Sequence, residues 1–247
     1  MELRLKVDVL TQPDDCTCGP TCLQGVYAYL GDAISLEQVI AETRRLEDGG
    51  TLAVLLGCHA LSRGYRASIH TYNLQVFDPT WFVDGVDLIA KLKAQAAVKA
   101  APKLQAATEA YIEFLEQGGR LRFEDLTPAV IRRYLNRGVP ILTGLSATYL
   151  YRSKRELTLD GRLEFDDVKG VPMGHFVVLC GYDRTERCVL VADPWGPHPS
   201  PESRQYWVGI DRLINSILLG IITYDANLLV IEPSRGKAAD EGAHRRQ

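Results

Sequence analysis

Three cysteines, Cys16, Cys18 and Cys22, crowd into seven positions of a 247-residue chain that holds six in all. The segment Cys18-Gly19-Pro20-Thr21-Cys22 reads as the opening turn of a helix. A thiol there feels the positive end of the helix dipole and unpaired N–H groups, which favour thiolate, the nucleophilic form. Gly19 beside the sulfur leaves room for a substrate backbone to approach. The competing reading is that Cys18 is a small buried apolar residue, as most free cysteines are. Zinc is a second competitor, but three thiolates fall one short of a structural site, and no second Cys/Cys or Cys/His pair has ligand spacing. Cys58 and His59 are adjacent, and neighbours in a helix point apart. No metal site is therefore expected.

A histidine and an aspartate stand at two ends of one expected hairpin. Gly174-His175-Phe176-Val177-Val178-Leu179 starts an apolar strand, Asp183 to Glu186 reads as a turn, and Cys188 to Ala192 returns to Asp193-Pro194-Trp195-Gly196. With that turn, position 175 faces 194, and Asp193 lies beside His175. A carboxylate there fixes the ring tautomer and stabilises the imidazolium. The plainer reading is a strand-end histidine capped for stability. His59 falls in a helix, His70 in mid-strand and His244 in the tail, which leaves His198, in a proline-rich loop, as the rival. A cysteine followed by a distant histidine is the chain order of papain-like thiol enzymes, and Asp193 follows both.

The elements that must position these groups follow from periodicity. A strand is expected over 3–9, a turn over Gln12 to Asp15, and helices from Cys18 to Leu30, from Ser35 and from Thr51 to Ser62. A strand over 65–72 and two helices in 85–117, broken near Pro102, come next. Thr127-Pro128 starts a helix that Gly138 ends. Strands then fall at 140–145, 174–182, 188–192, 205–208 and 227–231, with a helix over 211–219 between the last two. Helices come first and antiparallel strands second, so the fold class is α+β. One domain is expected over 1–233, with 73–126 as a helical insertion and 234–247 as a disordered tail.

Composition narrows the class. Hydrophobic residues make up 46% and charged residues 24% of the chain, as in globular proteins. Lys and Arg number 28 against 31 Asp and Glu, so no basic excess exists to hold nucleic acid. The run Ile217 to Ile222 is too short to span a bilayer, and MELRLKVDVL lacks the apolar core of a signal peptide. A soluble, cytoplasmic protein is expected, without a membrane partner or a cofactor.

The segment Gln12-Pro13-Asp14-Asp15-Cys16-Thr17-Cys18-Gly19-Pro20-Thr21-Cys22-Leu23, followed by Tyr29-Leu30-Gly31, resembles the papain-like bacteriocin-processing peptidases of the C39 type. Gly174 to Leu179 and Asp193-Pro194-Trp195-Gly196 resemble that family's histidine strand and aspartate loop. The likeness covers 9–64 and 138–220. It implies a papain-like fold and a Cys18–His175–Asp193 triad, with Gln12 in the oxyanion hole, where its amide and the Cys18 backbone N–H both donate. It also implies a peptide substrate. Thr17 stands where family members usually carry Asp, and Cys16 is an extra thiol that lacks a following glycine. Nothing resembles the exporter to which many relatives are fused, so a double-glycine leader specificity is not carried over. A peptide-binding module without cleavage, an acyl or amide transferase and, remotely, a zinc protein remain the other readings.

The cleft of such a fold lies between the cysteine helix and the sheet. Tyr149, Tyr151 and Arg152, near the acidic stretch Glu164 to Asp167, and the segment Trp195 to Pro201 have the composition of a substrate wall. Tyr and Trp supply rigid amphipathic surface, and Arg can grip a carboxylate. Tyr149 and Tyr151 serve equally well as ordinary core or surface aromatics.

Overall fold

The computed structural model describes residues 2–47, 49–159, 162–196 and 204–234. The expected tail beyond Ser234, His198 and His244 lie outside them. Strand β1 (Glu2–Arg4) leads to helices α1 (Cys18–Tyr29), α2 (Leu36–Glu42) and α3 (Ala53–Ser62), then β2 (Tyr65–Thr71). A 3-10 turn (Pro79–Phe82), α4 (Leu88–Ala96), α5 (Pro102–Glu116) and β3 (Arg120–Arg122) precede α6 (Pro128–Leu135) and β4 (Ile141–Ser146). Next come α7 (Ala147–Tyr151), a hairpin of β5 (Glu156–Leu159) and β6 (Arg162–Phe165), then β7 (Gly174–Asp183) and β8 (Cys188–Ala192). The chain closes with β9 (Gln205–Gly209), α8 (Ile210–Leu219), a 3-10 turn (Gly220–Thr223) and β10 (Asn227–Pro233).

Eight strands form one sheet in the order β3-β2-β10-β4-β7-β8-β9, with β1 also paired to β7. The pairs are antiparallel except β2 with β3. Strand β7 is long enough to take β4 along its first half and β1 along its second. Period-two alternation sorts the sheet into two cores. Phe176, Val178 and Cys180 face α1 and α3, whereas Val177 and Leu179 face α6 and α8. Phe77, Leu92, Leu104, Tyr111 and Phe114 from the 73–126 segment share the first core with α1 and α3.

Local chemistry sets the helix starts. Ser35 Oγ accepts from Gln38 N at 3.2 Å, and Thr127 caps α6 with Pro128 at its first position. Gly138 closes the turn after α6 at φ 72°.

Three expectations change. The first strand stops at Arg4 rather than residue 9. Beyond it the Val7 and Val9 carbonyls accept from the side chains of Gln205 (2.7 Å) and Arg204 (3.2 Å) rather than from a strand's backbone. The β7–β8 turn is wider than read, because Asp183 pairs with Cys188. Asp183 Oδ1 accepts from the amides of Thr185 and Glu186 and so holds the turn as a loop. A bulge at Cys180 then shifts the register back by one, so that Val178 faces Ala192. Third, β5 and β6 pair antiparallel, although no strands were expected there.

Candidate active site

Helix α1 delivers Cys18 at its first residue. Its N-cap, Thr17, turns its hydroxyl to the Asp14 carbonyl (3.3 Å) instead of capping the helix. The first turn thus keeps unpaired donors beside the sulfur, and Pro20 has none to lose. Gly19 is buried, and a Cβ there would meet Thr51 Cγ2 at 2.7 Å and Leu56 and Phe176 at 3.2 Å. This corrects the expectation that Gly19 opens a path for substrate. The missing side chain lets α1 pack tightly on its own core.

His175 opens β7, and Asp193 follows β8. His175 Nε2 stands 2.9 Å from Asp193 Oδ1, and both side chains are buried. The Cys18 thiol lies close enough to bond the ring. With Nε2 engaged by Asp193, Nδ1 is the ring nitrogen left over for the sulfur. Burial alone would drive the imidazole toward neutrality. Asp193, by charge and hydrogen bond, and Cys18 outweigh it and hold His175 up to about 10.

Asp193 is saturated with donors. The Trp195 amide bonds Oδ1 at 3.0 Å, and the hydroxyls of Tyr151 and Tyr206 each bond Oδ2 at 2.6 Å. Burial first, and then the Asp193 charge, push both phenols well above their ordinary ionisation range, so they stay donors. Sequence reasoning missed Tyr206. Its signal was only a place in the strand expected at 205–208; the pairing of that strand with β8 is what brings it to Asp193.

Gln12 is tied into this loop by its backbone, since its N–H donates to the Pro194 carbonyl at 2.9 Å. Its Nε2 donates one hydrogen to the Asp14 carbonyl at 2.8 Å and has a second to offer. Cys16 lies nearby, partly buried. Burial, Asp14 and Cys18 all push its thiol up. Cys22 is fully buried and donates to the Phe176 carbonyl at 3.2 Å. That contact places it in the core. Among the described residues no group of three His, Cys, Asp or Glu side chains is arranged to hold a metal.

A cleft of about 400 Å³ opens beside Cys18. Its apolar lining includes Leu157, Leu163, Val171 and Phe176, and its charged lining is Asp15, Lys103, Glu156 and Asp225. None of Tyr149, Tyr151, Arg152 or Trp195 lines it. Tyr149 and Arg152 are exposed, and Arg152 ends α7 in the left-handed region at φ 52°. Tyr151 and Trp195 pack against His175, with ring centroids 6.2 and 6.1 Å away and 5.1 Å from each other. They back the imidazole rather than wall this cleft. The hairpin that does wall it carried a readable signal, Asp160-Gly161 between alternating apolar residues.

The other described histidines are bonded elsewhere. Tyr27 Oη is 2.8 Å from His59 Nδ1 and Tyr134 Oη 2.7 Å from His70 Nε2.

No curated protein matches the sequence. Among solved structures, a candidate C39-like peptidase from Bacillus anthracis aligns over 95% of this chain and 98% of its own, with 13% identity and a TM-score of 0.50. Xylellain, a cysteine protease from Xylella fastidiosa, aligns over 95% and 86% with 15% identity and a TM-score of 0.46. A double glycine motif protease from an AMS/PCAT transporter, solved in complex with the leader peptide, aligns over 94% of each chain with 16% identity and a TM-score of 0.44. At these identities the likeness speaks to the fold, which is the α+β papain-like fold. The Peptidase_C39 like family model matches residues 4–211, and the chain belongs to that family.

Proposed function

We propose that this protein is a cysteine peptidase that hydrolyses a peptide bond through a Cys18–His175–Asp193 triad. The observation that carries the reading is the 2.9 Å bond from His175 to a buried, four-fold bonded Asp193, with a helix-start thiol in reach of the same ring and beside an open cleft. Membership of a peptidase family supports it.

In this mechanism His175 takes the Cys18 proton and Sγ attacks the carbonyl carbon. The oxyanion is held by the Cys18 N–H and the second hydrogen of Gln12 Nε2. Collapse expels the amine, which takes the proton from His175 and leaves a thioester on Cys18. Water then gives a proton to His175 and attacks the thioester, which releases the acid and restores the thiol. The substrate is a peptide, in keeping with the leader peptide bound by the transporter protease.

Alkylation by iodoacetamide across pH 5–9 tests the pairing. Wild-type Cys18 should react faster than Cys58, which burial pushes up to about 12, and His175→Ala should erase the advantage. Equal, sluggish labelling of both thiols in both proteins would end the reading.

A further inference from the structure

The cleft beside Cys18 has a chemical character that the triad does not explain. Its apolar lining includes Leu157 and Leu163 of the hairpin, and Val171, which bridges to Glu156. Glu156, on β5, lines the same cleft. Its Oε1 is sealed from solvent and has no hydrogen-bond partner among the described residues. Burial first, then the nearby Asp15, push this carboxyl up to about 7, while His175 pulls the other way. Asp225, 6% exposed, lines the same cleft and already accepts from Thr223 Oγ1 at 2.8 Å. Lys103, the one cation of the lining among the described residues, bears on Asp225, and its ammonium lies 5.5 Å from the Tyr224 ring centroid.

A buried carboxylate oxygen without a donor is costly unless something arrives to bond it. What arrives must lie against the apolar lining beside Glu156, which suits an aliphatic stem, and must end in donors. Lysine and arginine side chains combine these two features. We infer that the cleft is a specificity subsite for a substrate residue with an aliphatic stem and a cationic head, and that Glu156 receives that head. The inference rests on Cys18 being the nucleophile and adds the substrate class.

Peptidyl chloromethyl ketones test it without a known substrate. The reagent alkylates the nucleophilic sulfur and loses chloride, and the adduct is located by mass spectrometry. Three side chains, Lys, norleucine and Glu, are placed in turn at each of the two positions next to the reactive ketone. At one of these positions the Lys reagent should modify Cys18 about 10-fold faster than norleucine, and the Glu reagent slowest, as expected for a charge-assisted bond in a partly buried site. The Lys-to-norleucine ratio should fall toward one in Glu156→Gln. In wild type the ratio should grow between pH 6 and pH 8 as Glu156 ionises, a readout that needs no variant to fold. If iodoacetamide labels Cys18 rapidly and in a His175-dependent way, yet the ratio is one at both positions or survives Glu156→Gln, the subsite is overturned and the peptidase reading stands. If iodoacetamide labelling is itself sluggish and independent of His175, the underlying reading fails and the subsite falls with it.

Discussion

Tyr206 on β9 and Asp193 after β8 are joined by a 2.6 Å bond from phenol to carboxylate. Tyr151 reaches the same oxygen from α7 at the same distance. The carboxylate that orients His175 is itself oriented by two separate elements. A buried anion fixed on all sides costs little further rearrangement when the imidazolium forms.

Removing either hydroxyl should be felt at His175. Tyr206→Phe and Tyr151→Phe should each lower kcat about 10-fold with little change in KM, the scale of one hydrogen bond to a charged group. Because both bonds end on Asp193 Oδ2, the double variant should depart from additivity. Steady-state kinetics on the four proteins checks this. Unchanged kcat in both single variants would show the clamp to be structural only.

Asp193→Asn should move the alkaline limb of kcat/KM. Burial lowers the His175 pKa and Asp193 is the largest influence raising it to about 10. Without that charge burial wins, and the limb should fall from near 10 toward neutral pH or below. The same shift bears on stability. A histidine whose folded pKa is raised stabilises the fold fully below its unfolded value, roughly 6.5. That contribution disappears as pH climbs through about 10. Thermal melts between pH 6 and 11 should show a decline over that window in wild type and a smaller one in Asp193→Asn.

Gln12→Ala should separate turnover from thiol reactivity. Loss of one oxyanion donor costs about 10²–10³ in turnover. Alkylation by iodoacetamide forms no oxyanion, so its rate at Cys18 should change far less. Parallel loss of both would mean that Gln12 holds Cys18 itself.

Gly174→Ala should destabilise the strand that carries His175. A Cβ at Gly174 would fall on Asp225 Oδ2 and lie 2.6 Å from Thr223 Oγ1. Overpacking of this kind costs about 1–3 kcal/mol. Gly209→Ala meets nothing within 4 Å and should melt within a degree or two of wild type.

The pieces legible in the sequence were those with local signatures. Helix α1 announced itself by its apolar spacing and Gly31, and α6 by Thr127-Pro128. His175 and Asp193 were placed together because a hairpin tolerates a slipped register at its open end. The turn was in fact misread by two positions, and the Cys180 bulge recovered one. What escaped had no periodicity to announce it. Tyr206 and Tyr151 meet Asp193 only through pairing of β8 with β9 and a five-residue helix. Gly19 looked like an opening at the site because its neighbours in sequence are chemical. Its neighbours in space, Thr51 and Phe176, are packing.

Strand β10 lies in the middle of the sheet, between β2 and β4. It is also the last described element to be synthesised. Until residues 227–233 leave the ribosome, β2 and β3 have no strand to join them to the half of the sheet that carries His175 and Asp193. A growing chain can hold Cys18, His175 and Asp193 and still lack the central strand of the sheet that carries the last two, so the three side chains are synthesised well before their scaffold can close.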